Sequence, residues 1–245
     1  MKDLVSIITP VYNKLEFTRQ MMDSVELNTD DWPFELIIVD NASSDGTKEF
    51  ITTSKYKMNG QYIRNEKNNG FAIANNQGVK VAKGNFLLFL NNDVIVTKGW
   101  LSAMMNVFSE EKAVGIVGAR LIHPGKGTIQ HAGVIEHANG MPDHVYFNKP
   151  MDYPPANIRK PIFAVTGACL LIPKTLYEEI GGFDESYFCG WEDMDLAQKV
   201  RQKGMNIYYE PKALVYHYES RTDGRYISEG ANFTLYMSRW ALGKK

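Results

Sequence analysis

The alternation of segment types over residues 1–90 constrains the fold most. Val5 to Pro10 is a short apolar run containing β-branched residues and closed by proline. Leu15, Thr18, Met22 and Val25 then recur at three- to four-residue spacing, the signature of a helix face. Phe34 to Val39 reads as a second strand and Thr47 to Ser54 as a helix, with Asp45-Gly46 as the turn between them. Gln61 to Arg64 follows as a third strand, Phe71 to Ala82 as a helix, and Asn85 to Leu90 as a fourth strand. The strands are apolar throughout rather than alternating, so both of their faces are covered. Covered strands that alternate with helices predict an α/β chain with a Rossmann-like, mostly parallel sheet and helices on both faces.

The pattern changes after residue 95. Trp100 to Phe108 reads as a helix and Val114 to Val117 as a strand. Residues 120–160 look loop-rich, with a strand pair expected around Gly133 to Ile135. Phe163 to Ile172 reads as a strand, Lys174 to Ile180 as a short helix, and Asp193 to Lys203 as a longer helix stopped by Gly204. Ile207 to Tyr209 and Ala213 to Tyr216 are expected as two short strands. No linker separates 1–95 from 96–245, so one domain spanning 1–245 is expected, with a smaller mixed sheet in its second half.

Composition removes several function classes. The 27 basic and 28 acidic residues leave a net charge of −1, without the basic field that a nucleic-acid partner calls for. Cys169 and Cys189 do not form a CxxC pair and are too few for a disulfide framework, so a reducing cytoplasm is expected. No signal-peptide h-region opens the sequence, and nowhere do about 18 apolar residues run together, so any membrane contact is expected to be peripheral.

In open α/β sheets ligands sit beyond the carboxyl ends of strands. Three strand ends here are polar: Thr9-Pro10-Val11-Tyr12-Asn13, Asp40-Asn41-Ala42-Ser43-Ser44-Asp45, and Asn91-Asn92-Asp93. Asp45 is equally well explained as a helix N-cap, whereas Asp40 comes too early for that. A carboxylate at Asp93 suits Mg2+ or Mn2+, which take few protein carboxylates and complete their shell with phosphate oxygens and water. Glu192, Asp193 and Asp195 open a helix, where acids complement the dipole and Asp195 pairs with Lys199 four residues on. Adjacent Glu192 and Asp193 behind Trp191 exceed what capping requires, and a carboxylate beside a substrate hydroxyl can serve as general base. His217 closes another strand and is a candidate metal ligand. His123, His131, His137 and His144 lack zinc-site spacing.

Together these segments resemble the glycosyltransferase family 2 enzymes, in particular their rhamnosyltransferase-like branch. VSIITPVYN (Val5 to Asn13), ELIIVDNASSDGT (Glu35 to Thr47), NNGFAIANNQG (Asn68 to Gly78), LNND (Leu90 to Asp93), TGACLLI (Thr166 to Ile172), GGFDE (Gly181 to Glu185), EDMDL (Glu192 to Leu196) and PKALVYH (Pro211 to His217) match in order across nearly the whole chain. The resemblance implies a GT-A fold, an inverting mechanism and a divalent metal, Mn2+ or Mg2+. It implies nucleotide contacts from Pro10, Tyr12, Asn13, Asp40, Asn68, Gly70, Asn75 and Asn92, with Asp40 reading the uracil or thymine imide. It places Gly167, Ala168 and Trp191 in the donor-sugar pocket and makes Asp193 the catalytic base beside Glu192. Asp93 is similar to the retained acid of the family's DxD and His217 to the histidine of the metal shell. Asn91 replaces the first acid and brings no charge, so its contact with the metal is an open point.

The implied partners are a UDP- or dTDP-sugar donor and a saccharide, lipid-linked or protein acceptor. Residues 1–95 would form the nucleotide-sugar half and 96–245 the acceptor and catalytic half. A homodimer is compatible with the sequence. A sugar-nucleotide-forming nucleotidyltransferase would carry a glycine-rich, basic phosphate loop after the first strand, where Pro10-Val11-Tyr12-Asn13 stands. A dehydrogenase would carry GxGxxG, which is absent. A non-catalytic nucleotide-sugar-binding module is disfavoured by retention of Asp93 with Glu192-Asp193. Phe233, Tyr236, Met237 and Trp240 recur at helical spacing before Lys244-Lys245. They predict a C-terminal helix that packs on the protein or, alternatively, lies at a membrane surface.

Overall fold

The computed structural model describes residues 2–53, 59–137, 141–219 and 228–240. The elements run β1 (Val5–Val11), α1 (Leu15–Asn28), β2 (Phe34–Asp40), α2 (Thr47–Thr53), β3 (Tyr62–Arg64), α3 (Gly70–Val81) and β4 (Phe86–Leu90). Then follow β5 (Val94–Val96), α4 (Trp100–Glu110), β6 (Val114–His123), β7 (Thr128–His131), β8 (Val134–Glu136) and β9 (Pro142–His144). After a short 3-10 turn come β10 (Lys160–Ile162), β11 (Cys169–Pro173), α5 (Lys174–Glu179), α6 (Glu192–Gln202), β12 (Asn206–His217) and α7 (Glu229–Trp240). Ser54 and residues 241–245, which the expected second and last helices included, lie outside the described residues.

One 10-stranded sheet carries the chain, in the order β10-β12-β6-β11-β4-β1-β2-β3, with β5 on β12 and β7 on β6. β4-β1-β2-β3 is parallel, as the covered apolar runs dictate. Antiparallel β11 joins β4 to β6 and so carries the sheet into the second half. The strands after β4 therefore extend the same mixed sheet, and the separate smaller sheet is the hairpin β8–β9. Side chains alternate between two cores: Ile8, Ile37, Val39, Leu87 and Phe89 pack with α3 and α6, while Ile7, Leu36, Ile38, Leu88 and Leu90 pack with α1 and α4.

Three expectations change. β6 runs on to His123, because β12 and β7 flank its second half. The two strands expected at 207–216 are one strand, β12, with an irregularity between Glu210 and Leu214 where Pro211 lacks a donor. The strand expected over 163–172 begins only at Cys169, and Thr166-Gly167-Ala168 turn along the edge of a cavity. Residues 120–160 stay loop-rich, with the strand pair expected around Gly133 present as the β8–β9 hairpin and the short β7 added before it.

Candidate active site

A cavity of about 370 Å³ opens at the carboxyl ends of β1, β2 and β4. Of the residues singled out from sequence, Pro10, Tyr12, Asn68, Gly70, Asn91, Asn92, Asp93, Gly167, Ala168, Trp191, Glu192, Asp193 and His217 all line it. Chain segments far apart in sequence thus converge on one space.

Asn13, Asp40 and Asn75 do not line the cavity. Asn13 has a positive φ of 55°. It stitches the loops after β1 and β2 together: its N–H donates to Ser43 Oγ at 2.8 Å, and its Oδ1 accepts from Ser44 N at 2.7 Å. Asn75 is fully buried on α3 and donates to Phe71 O at 3.0 Å. Asp40 is 0% exposed. Its Oδ1 accepts from Ser43 N at 2.7 Å and its Oδ2 from the Tyr62 hydroxyl at 2.6 Å, and the same Oδ2 is ion-paired with Arg64. Burial, followed by the bond to Asp40, pushes the Tyr62 phenol up to about 12. The carboxylate thus does not line the cavity, whereas the neighbouring Asn41 does. Asp45 has a local structural role one residue before the α2 cap at Gly46: it accepts from Thr47 N and Oγ1 and from Leu15 N.

The Asp93–His217 pair arises from sheet pairing. Val94 is the register partner of His217 in the antiparallel β5–β12 pair, which brings Asp93 alongside the histidine. His217 Nε2 lies 3.1 Å from Asp93 Oδ1, and the two side chains are only 5% and 9% exposed. The Asn91 amide nitrogen is 3.3 Å from the same Nε2, and Asn92 donates to Thr18 Oγ1 at 3.1 Å. Carboxylate oxygen and imidazole nitrogen at this separation are a donor set that Mn2+ or Mg2+ accepts, so the residues present fit a divalent cation.

Across the cavity, Trp191 caps α6 in the left-handed region at φ 75°, a conformation that a bulky residue adopts only when packing enforces it. Its ring is held 5.1 Å from both Phe233 and Tyr236 of α7. Asn232 of α7 donates to the carbonyls of Cys189 and Gly190, and Trp240 donates to buried Asp195 at 2.8 Å. Asp195 also pairs with Lys199 at 2.9 Å, as its spacing predicts. The apolar face of α7 is therefore packed against α6 and the loop before it, which is the packing role expected of a C-terminal helix. Among the described residues no helix is long and apolar enough to cross a membrane.

This frame sets Asp193 at the start of α6. Its Oδ2 accepts from Gly167 N at 2.9 Å and its Oδ1 from Met194 N at 2.8 Å. A Cβ at Gly167 would stand 3.2 Å from the Phe71 ring and 3.7 Å from Asp193 Cβ, so the glycine allows this close approach. Gly70, at φ +82°, lets Phe71 N donate to Phe188 O at 2.8 Å and ties α3 to the same loop.

Several lining residues carried no sequence signal. Gln130, Glu219, Glu229, His131, His144 and Phe188 border the cavity without belonging to any motif. His131 is held well below the usual imidazole range by burial and by neighbouring His144 and His217. Its Nε2 accepts from Thr166 N at 3.3 Å. The charged lining groups are Asp93, Asp143, Glu192, Asp193, Glu219 and Glu229; no lysine or arginine lines the cavity among the described residues.

A family model for "Glycosyl transferase family 2" matches residues 6–181, and one for "N-terminal domain of galactosyltransferase" matches residues 152–222. The chain is 28% identical over 227 residues to the O-antigen biosynthesis protein RfbC of Myxococcus xanthus, covering 88% of this chain and 17% of that protein. It is 23% identical over 252 residues to an N-acetylglucosaminyl-diphospho-decaprenol L-rhamnosyltransferase of Mycobacterium tuberculosis, covering 92% of this chain and 79% of that one. Two of the curated relatives are several times longer, and the chain spans 25% and 17% of their lengths. Among solved structures, the mannosyltransferase PcManGT of Pyrobaculum calidifontis, in complex with GDP-Man and Mn2+, superposes with a TM-score of 0.70 at 16% identity, covering 98% of this chain and 64% of that one. The shared fold is GT-A. By the match over residues 6–181, the chain belongs to glycosyltransferase family 2.

Proposed function

We propose that the chain is an inverting, metal-dependent hexosyltransferase. It would move a sugar from a UDP- or dTDP-sugar to a hydroxyl of a saccharide, lipid-linked or protein acceptor, in the synthesis of cell-surface polysaccharide or glycoconjugate. The carrying observation is the Asp93–His217 pair lining the same cavity as Asp193, in a space where no described lysine or arginine could neutralise a diphosphate. Six lining carboxylates would repel such a ligand unless a cation intervened. The O-antigen and rhamnosyltransferase relatives, and a fold neighbour solved with GDP-Man and Mn2+, support the reading.

Asp93 and His217, with Asn91 beside them, would hold Mn2+ or Mg2+. That cation supplies Lewis-acid charge for the departing nucleoside diphosphate. Tyr12, Asn41, Asn68 and Gly70 border the nucleotide end, and Asp40 acts indirectly by fixing Arg64 and the loop at Ser43. Gly167, Ala168 and Trp191 bound the sugar. Asp193, oriented by the N–H groups of Gly167 and Met194, accepts the proton of the attacking hydroxyl. A single displacement by that hydroxyl inverts the anomeric centre.

The test is a donor screen that follows release of UDP or dTDP with Mn2+ present. Asp193→Asn should lower turnover by about 10²–10⁴, the usual share of a general base, and leave Mn2+-dependent UDP affinity within about threefold, measured by calorimetry. Wild-type turnover in Asp193→Asn would sink the assignment. Release of pyrophosphate would instead favour a nucleotidyltransferase.

A further inference from the structure

We propose that Gln130 is a positioning residue that presents His217 to the cation in one tautomer, with the proton on Nδ1 and the Nε2 lone pair facing Asp93. The proposal rests on the metal reading above and assigns a role to a side chain outside every recognised motif.

Gln130 is 5% exposed and lies on β7. The β6–β7 register pairs Ile122 with Ile129 but Leu121 with His131, which leaves Gln130 as the extra residue of a bulge. Bulges re-aim a side chain, and this one turns Gln130 onto the imidazole of His217. The contact is short, 2.7 Å from His217 Nδ1 to Gln130 Oε1. The amide orientation is fixed from its other end. Its nitrogen lies 3.0 Å from Glu219 Oε2 and 3.3 Å from the His217 carbonyl oxygen, both of which only accept. With the nitrogen committed to these acceptors, the amide oxygen faces Nδ1, so Nδ1 must donate.

The consequence falls on the other ring nitrogen. Nε2 stands 3.1 Å from Asp93 Oδ1, with the amide nitrogen of Asn91 at 3.3 Å. A cation between a carboxylate and a histidine needs a lone pair on Nε2. If Nδ1 were the bare nitrogen, Nε2 would carry the proton, and no ligand atom would face Asp93. A hydrogen bond to the distal nitrogen of a metal-binding histidine sets tautomer, ring angle and basicity together. Gln130 does this from a segment that also supplies the cavity wall at His131.

The experiment compares wild type, Gln130→Met, and the charge-conserving swap Gln130→Glu with Glu219→Gln, each checked for folding by circular dichroism. Mn2+ affinity is measured by electron paramagnetic resonance with UDP present. The protonation of His217 Nδ1 is read from imidazole 15N shifts in metal-free protein. Wild type should show a protonated Nδ1. Gln130→Met should lose that signature and weaken Mn2+ binding by about 10- to 100-fold, the range seen for such outer partners. The swap should restore the Nδ1 proton and bring Mn2+ affinity back to within about threefold of wild type, following the acceptor rather than the residue. An unprotonated Nδ1 in wild type overturns the proposal even if Gln130→Met does not fold. So does unchanged Mn2+ affinity in a folded Gln130→Met. If wild type binds no Mn2+ beside UDP, the metal reading itself falls and takes the proposal with it.

Discussion

Gly70→Ala probes the seam where the start of α3 meets the loop leading to Asp193. Gly70 sits at φ +82°, where an alanine costs about 1–2 kcal/mol. Its Cβ would collide with the Phe188 carbonyl oxygen and stand 2.9 Å from Cδ2 of the Phe188 ring. That carbonyl accepts the Phe71 N–H at 2.8 Å, so it cannot withdraw without weakening a bond worth about 0.5–1.5 kcal/mol. Together the terms give about 1.5–3.5 kcal/mol, or a Tm lower by roughly 3–14 °C for a chain of this size. Gly125→Ala is the control. Gly125 has φ +75° with nothing within 4 Å of the point where a methyl would stand, so alanine there meets backbone strain alone. Differential scanning calorimetry should find Gly70→Ala less stable than Gly125→Ala by about 1 kcal/mol, with UDP release impaired only in the former. Equal Tm values for the two variants would refute the claim that Gly70 is required by the Phe188 contact.

Three further outcomes follow from buried groups. Arg64→Met leaves fully buried Asp40 without its exposed cation and should lower the urea midpoint; an unchanged midpoint would show that the Tyr62 and Ser43 donors suffice. Trp240→Phe removes the donor to Asp195, which is 1% exposed, and should cost about 1–3 kcal/mol by thermal melting, together with a drop in turnover as α7 loosens over Trp191. His131 is neutral in the fold because its pKa is depressed, whereas in the unfolded chain it takes a proton below about pH 6.5. The unfolded state then binds more protons, so stability should fall as pH drops below about 6.5, by up to about 1.4 kcal/mol per pH unit from this residue. His131→Gln keeps an acceptor for Thr166 N–H and should flatten that slope by about one proton; an unaltered slope contradicts the assignment.

The parallel half of the fold was legible because β1, β2 and β4 are covered on both faces and so carry unbroken apolar runs. The carboxyl-end rule then located the cavity from Pro10, Asn91 and Asp93 before any packing was known. What stayed hidden depends on pairing between distant segments. β5 is three residues long, too short for a periodic signal, yet it is what sets Asp93 against His217. Gln130 acts through a bulge, and a bulge leaves no mark in a single strand's sequence. Asp40 looked like a ligand-facing acid because its chain position is right. The partner that occupies it, Arg64, stands directly opposite on β3 in the parallel register, a fact visible only once strands are paired.

Anomalous diffraction from crystals soaked with Mn2+ and UDP tests the central claim most directly. The expected result is one manganese peak within coordination distance, about 2.0–2.3 Å, of Asp93 and His217, with diphosphate density on the cavity side shared with Asp193. A nucleotide bound in the cavity with no manganese between Asp93 and His217 would contradict it.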